Sequence, residues 1–231
     1  MIQAGKVFQL ALIAGLLAGT ASAGSVSLVT SSAALGANDF VLWSQLGSDN
    51  TTISNPISAI SSDALAVTGS LAGTNGLIVD VGASWGPPGG LLGAGDAMLW
   101  AFDNVANTGT GPVTLSFPTG FGAGAAIQAD VLGAFTAQIQ LFDGSTSLGT
   151  FTETSTNGDA IFIGALDTTA EVTKAVFSLT AAPSGNGLAG FAIDTLYLQD
   201  SVVTPEPGSI FMLVGGLAAI SLKLRRRAGA R

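Results

Sequence analysis

The sequence predicts an all-β fold, a single jelly-roll-like antiparallel β-sandwich flanked by an N-terminal signal peptide and a C-terminal transmembrane helix. Three observations carry this expectation. Between residues 24 and 200 apolar side chains recur at every second position and not at helical spacing. Short apolar, β-branched runs are broken roughly every ten residues by Gly, Asn, Asp, Ser and Pro, as in sandwiches. Two longer apolar segments, one at each end, stand outside that pattern.

Taken in order, Phe40-Val41-Leu42-Trp43 and Leu77-Ile78-Val79-Asp80-Val81 read as strands. Trp85-Gly86-Pro87-Pro88-Gly89-Gly90 reads as a loop lying over one face. Val113, Leu115 and Phe117 alternate with Thr114 and Ser116. Phe135, Ala137, Ile139 and Leu141 alternate with Thr136, Gln138 and Gln140, the clearest half-buried strand in the chain. Phe142-Asp143-Gly144 followed by Leu148-Gly149-Thr150-Phe151 predicts a hairpin. Further strands are expected around Ile161–Ile163, over Val172–Thr180 and over Phe191–Tyr197. The turns between them are Asp143-Gly144-Ser145, Asn157-Gly158-Asp159 and Pro183-Ser184-Gly185-Asn186-Gly187. No fixed-period repeat and no linker before Ser201 is visible, so residues 24–200 are expected to form one domain.

Composition narrows the chemistry. The chain has 231 residues, 48% of them apolar, and 32 glycines that follow no collagen period. Of the cations, only Lys174 lies in the interior. It faces fourteen acids there, a net charge of −13. Such a surface repels phosphate backbones, so nucleic acid is not an expected partner. The chain contains no His and no Cys. This excludes Ser-His-Asp and Cys-His catalysis, His- or Cys-ligated metal and disulfides. An enzyme would have to rely on carboxylates, Lys174, Tyr197 or hydroxyl groups, and the expectation is a non-enzymatic protein.

Residues 1–23 read as a secretory signal peptide. Lys6 supplies the basic start, Val7 to about Ala18 the apolar stretch, and Ala21-Ser22-Ala23 the small-x-small cleavage signal that leaves Gly24 first. The alternative is an uncleaved anchor, for which the apolar run is short of the ~20 residues a span prefers. The expected partners are the Sec export machinery and signal peptidase. At the other end, residues 201–208 form a Pro-containing linker, 209–224 a membrane helix and 225–231 a basic tail. The 17 residues from Gly208 to Leu224 give roughly 25 Å of helix, slightly under a ~30 Å hydrocarbon core, a gap that thinning and snorkelling of Lys223 cover. Arg225, Arg226 and Arg227 then lie on the cytoplasmic side as a stop signal, and the acidic domain faces away from it.

The order Pro205-Glu206-Pro207, short apolar span, terminal arginine cluster resembles the PEP-CTERM sorting signal of exopolysaccharide-producing bacteria with an outer membrane. The resemblance implies handling by an exosortase, a membrane-embedded transpeptidase-like protease. Pro205, Glu206 and Pro207 are then its recognition element, and the inner membrane holds an intermediate on the way to the cell surface or extracellular matrix. Two prolines keep such a tripeptide extended and open to a protease. Phe40 to Gly47, Gly95 to Trp100, Gly144 to Phe151 and Phe191 to Leu198 are similar to segments of PEP-CTERM surface proteins. That similarity implies fold and location, with exopolysaccharide as a partner, more than any activity.

The remaining motifs have ordinary readings beside functional ones. Gly120-Phe121-Gly122-Ala123-Gly124-Ala125 fits a loose dinucleotide pattern, but strand-like residues follow it where a helix is needed, and a flexible turn is expected instead. Asp39, Asp96, Asp103 and Asp194 are candidate Ca²⁺ ligands, although no ladder of alternate Asp supports them and a solvated acidic surface is the favoured reading. Asp194 has a further reading, a carboxylate satisfied by backbone N–H groups of a neighbouring loop. Trp43 and Trp100 are expected in the core, whereas Trp85, set in a Gly/Pro loop, is the candidate for stacking on a glycan. A carbohydrate-binding module is therefore the alternative function, and a carboxylate-dependent glycoside hydrolase a more distant one. Asn50-Thr51-Thr52 fits a glycosylation acceptor, but reads as a turn.

Overall fold

The computed structural model describes residues 24–71, 75–81, 85, 91–102, 111–183 and 190–200. Over these the chain is all-β. Twelve strands are joined in antiparallel pairs: β1 (Val26–Val29), β2 (Asp39–Val41), β3 (Ile57–Ile60), β4 (Ala66–Leu71), β5 (Asn75–Asp80), β6 (Ala97–Phe102), β7 (Val113–Ala129), β8 (Phe135–Asp143), β9 (Thr146–Ser155), β10 (Ile161–Asp167), β11 (Val172–Ala181) and β12 (Phe191–Asp200). A four-residue helix, α1 (Ser32–Leu35), follows β1, and a 3-10 turn at Trp43–Leu46 follows β2. No helix among the described residues is long and apolar enough to cross a membrane. The signal-peptide positions Ala21 and Ala23, the motif Pro205-Glu206-Pro207, Arg225, Arg226 and Arg227 lie outside the described residues, as does Asp103.

The organising element is β7, whose 17 residues are about three times the common strand length. Its first half pairs with β4 and β11, its second half with β10 and β12. One strand thereby serves two layers. The first layer runs β3-β4-β7-β11-β8-β9 and the second β1-β10-β7-β12, with β6 and β5 continuing from part of β12. β10 also approaches β8 and β9 without pairing with either, which brings the layers together at that side.

Inward residues of both layers form one core. Phe135, Ala137, Ile139 and Leu141 of β8 meet Ala175, Phe177 and Leu179 of β11 and Ile193, Leu196 and Leu198 of β12. The period-2 pattern read from the sequence thus becomes the buried face of the first layer. Gly144, at φ +54, turns β8 into β9, a conformation a Cβ would strain.

The second half of β7 departs from expectation. Gly120 to Ala125 is strand, not a flexible turn. Its small residues are required by covers on both sides. Ala123 and Ala125 point into the core. On the outer face, a Cβ on Gly124 would lie 2.7 Å from the Phe162 ring, and one on Gly122 would collide with the Ala165 carbonyl oxygen and lie 3.1 Å from Leu35. Leu35 is held there by α1, whose Ser31 hydroxyl accepts from the Ala34 N–H at 3.0 Å and whose Gly36 closes the turn at φ +66.

The outer face of the first layer is different in kind. Registers align Ser116 with Lys174 and Lys174 with Phe142, then Thr114 with Val176, Gln140 and Thr150, then Ser178 with Gln138 and Thr152. Glu153 pairs with the inward-facing Ala137 and so stands on the other side of β9.

Candidate functional site

β12 changes neighbour along its length, and the seam this creates is the most chemically loaded place among the described residues. Phe191–Ile193 pair with β6, whereas Leu196–Leu198 pair with β2. Asp194 and Thr195 fall between, at an irregularity in the pairing with β7. The Trp43 indole N–H donates to the Asp194 carbonyl at 2.8 Å, satisfying a backbone group the gap would otherwise orphan. This explains why the strand predicted over Phe40–Trp43 stops at Val41: Trp43 opens a 3-10 turn and is wholly buried as a plug. The expectation of a core Trp43 holds.

A hollow of about 150 Å³ opens at the seam, lined by Leu42, Trp43, Ser44, Gly95, Asp96, Ala97, Asp194 and Thr195. Two of the four candidate calcium ligands, Asp96 and Asp194, therefore meet. Burial pushes the Asp194 carboxyl above its ordinary value, a bond from the Thr195 N–H works against that, and the Asp96 charge raises it further. Burial, with the same two carboxylates, also raises the Tyr197 hydroxyl. The oxygens are of the hard kind calcium takes, but calcium needs six to eight. Among the described residues no three acidic, His or Cys side chains gather as a metal site. A second hollow of about 220 Å³, lined by Leu46, Thr52, Ile53, Ser54, Pro56, Ile57 and Ser58, holds no titratable group.

Asp39 is elsewhere and has another job. Its Oδ1 accepts from the Ser62 hydroxyl at 2.6 Å, the Phe40 N–H at 2.8 Å and the Asp63 N–H at 2.9 Å. Burial works to raise its carboxyl, but a bond from the Ser61 side chain together with these outweighs it and holds the group below its ordinary value. A carboxylate met by backbone N–H groups, the reading made for Asp194, describes Asp39 better at its Oδ1.

Along β6 the outward positions are Met98, Trp100 and Phe102. Met98, Val79, Val81, Leu92, Ala126 and Ala192 form a second, smaller apolar cluster, with Leu77, Trp85 and Trp100 packed against it. Trp100 is thus half-buried on the outer face, not in the main core as expected. It stacks on Phe102 at 4.4 Å between ring centroids, and Trp85 meets it edge-on at 6.1 Å. Of the expected loop only Trp85 is described, and it packs over this face; residues 86–90 lie outside the described residues. Across a floor of Ala192 and Gly190, Gln128 and Asp130 stand opposite.

Trp100 Nε1, Gln128 Oε1 and Asp130 Oδ1 are each buried here without a well-formed bond, while Gln128 Nε2 donates to the Gly158 carbonyl at 3.1 Å. Buried groups of this kind are rare unless something else meets them. Trp100 Nε1 and Asp130 Oδ2 both hang over Gly190, at 2.7 and 2.8 Å from where its Cβ would be. Burial pushes the Asp130 carboxyl up to about 6, with the Gly190 backbone and the Trp100 N–H opposing. The indole N–H thus faces the carboxylate closely enough to soften its burial. Asp130, Gln128 and Phe102 were not among the residues the sequence singled out. Their signal was weak: Met98, Trp100 and Phe102 alternate with Leu99 and Ala101, so both sides of the strand are apolar and neither is marked as outer.

No protein-family model matches the chain, and no curated protein matches it in sequence.

Proposed function

We propose that the protein is an exported, non-enzymatic cell-surface or extracellular-matrix protein, sorted by its C-terminal segment through an exosortase and associated with exopolysaccharide. The observation that carries this reading is the tail: Pro205-Glu206-Pro207, an apolar stretch and Arg225-Arg226-Arg227, set opposite an N-terminal segment ending Ala21-Ser22-Ala23-Gly24. A tripeptide held extended by two prolines beside a membrane is a suitable protease target. The domain is read as a jelly-roll-like sandwich, a reading supported by two layers sharing β7 and by sequence-distant strands as neighbours. No catalytic group is assigned. Calcium is not required by this reading.

The test is deletion of residues 205–231 followed by cell fractionation. The expected outcome is loss of surface retention with the domain released. Unchanged retention would defeat the sorting claim.

A second reading, a carbohydrate-binding module, is favoured by the outer face at Trp85, Trp100 and Phe102. The C–H face of a sugar ring stacks on accessible aromatic surface, and Trp85, Trp100 and Phe102 are each only half-buried. A glycan array with wild type, Trp85→Ala and Trp100→Ala decides it. The expected outcome is binding by wild type that both substitutions weaken.

A further inference from the structure

We propose that the outer face of the first layer, centred on β8, β9 and β11, is a docking surface for a polysaccharide strand bearing carboxylates. The proposal rests on the reading of the protein as glycan-associated, and it names a surface distinct from the aromatic cluster.

The first support is charge. The interior of the chain holds fourteen acids and one cation, yet the outward positions of these strands carry no carboxylate, and the one cation, Lys174, is among them. An anionic polymer is repelled by a surface carrying many like charges. Along the outward positions of this face it meets none and finds an ammonium, the exposed Asp143 and Glu171 lying at the strand ends, off that register. Lys174 Nζ sits 4.2 Å from the centroid of the Phe142 ring, which positions the cation while leaving N–H groups for an anion.

The second support is the array around it. Thr136, Gln138 and Gln140 alternate with buried residues, and Thr150 and Thr152 with half-buried ones, so their hydroxyls and amides stand on one side of a pleated sheet. Neighbouring strands repeat about every 4.8 Å and like-facing residues about every 6.8 Å, a grid that a repeating polyol can meet at several points at once. Cross-strand bonds hold the array in advance. Gln140 Nε2 donates to Thr150 Oγ1 at 3.0 Å, and the Thr136 hydroxyl meets that of Thr154 at 3.1 Å. Side chains already ordered lose less freedom when a ligand binds. A hydroxyl-bearing chain matches this donor and acceptor surface, and its carboxylates match Lys174.

The intact protein in a zwitterionic, sugar-free detergent is titrated with oligogalacturonate and, separately, with cello-oligosaccharide of the same length. Wild type is expected to prefer oligogalacturonate by at least tenfold, with affinity falling as salt rises. Gln138→Glu with Thr152→Glu should weaken that binding about tenfold or more, and Lys174→Gln about threefold. Should the paired Glu variant melt early, Gln140→Ala replaces it, with a loss of about threefold expected. Equal affinity for both oligosaccharides, or face variants that bind within twofold of wild type, overturns the proposal. Loss of binding only in Trp100→Ala would also overturn it, while leaving the carbohydrate reading intact. Failure of wild type to bind either glycan sinks both together, and the sorting claim still stands on its deletion test.

Discussion

At the scale of single residues, the small side chains of β7 are set by what lies over them. A Cβ added to Gly124 would meet the Phe162 ring at 2.7 Å and the Gly164 Cα at 2.8 Å. The ring could turn away, but the neighbouring backbone cannot. Gly124→Val is therefore expected to cost about 1–3 kcal/mol of unfolding free energy in a urea titration. Adding Phe162→Ala should restore only part of it. Full rescue would mean that the ring alone sets the limit. Asp130 makes the opposite kind of statement. Between the ordinary carboxyl value of 3.8 and about 6, the folded protein holds a proton the unfolded chain has released. The stability this group contributes is complete below the lower value and is lost as pH rises through the upper one. Relative to Asp130→Asn, wild type should therefore lose thermal stability between about pH 4 and about pH 7. Parallel curves for the two proteins would show that burial of Asp130 is not felt.

At the scale of elements, β12 is the strand whose irregularity matters. A regular β12 would continue its pairing with one neighbour, whereas here it hands over from β6 to β2 and leaves Asp194 and Thr195 at the join. Trp43 closes that join from the 3-10 turn. Trp43→Phe keeps a ring in the core but removes the donor to the Asp194 carbonyl, so it should destabilise by about 2–3 kcal/mol through an unsatisfied buried acceptor and lost volume. A loss under about 0.5 kcal/mol would show that the seam does not depend on the indole N–H. The elements also differ in how plainly they were written. β8 was legible because Phe135 to Leu141 buries one face and shows Thr and Gln on the other. Gly120 to Ala125 was not, because both faces of that stretch are covered and small residues on both sides leave no alternation to read. α1 was missed because four residues are too few to show a helical period.

At the scale of the whole molecule, the terminal segments and the β domain make separable claims. If residues 201–231 act as an address, their fusion to an unrelated exported β domain should confer surface retention in the native host, measured by fractionation and intact mass. Retention that requires residues 24–200 as well would place the address in the domain. The domain's two outer faces divide its chemistry. One carries the aromatic rings with Gln128 and Asp130, and the other an uncharged Thr and Gln array around Lys174. The outward positions of the second carry no acid, which a count of charges along the chain does not reveal.

The chain's own order of residues determined its all-β class, its main strands and the β8–β9 hairpin. It also excluded imidazole and thiol chemistry outright. These follow from short-range facts: side chains alternate along a strand, turns need particular residues, and an absent side chain can do nothing. Only the tertiary structure decided that Asp96 meets Asp194 while Asp39 caps a distant loop, that Trp100 lies outside the main core, and that no carboxylate stands beside Lys174 on its face. Those outcomes depend on register between strands remote in sequence, and register is settled by packing of the whole core, which no local window of residues contains.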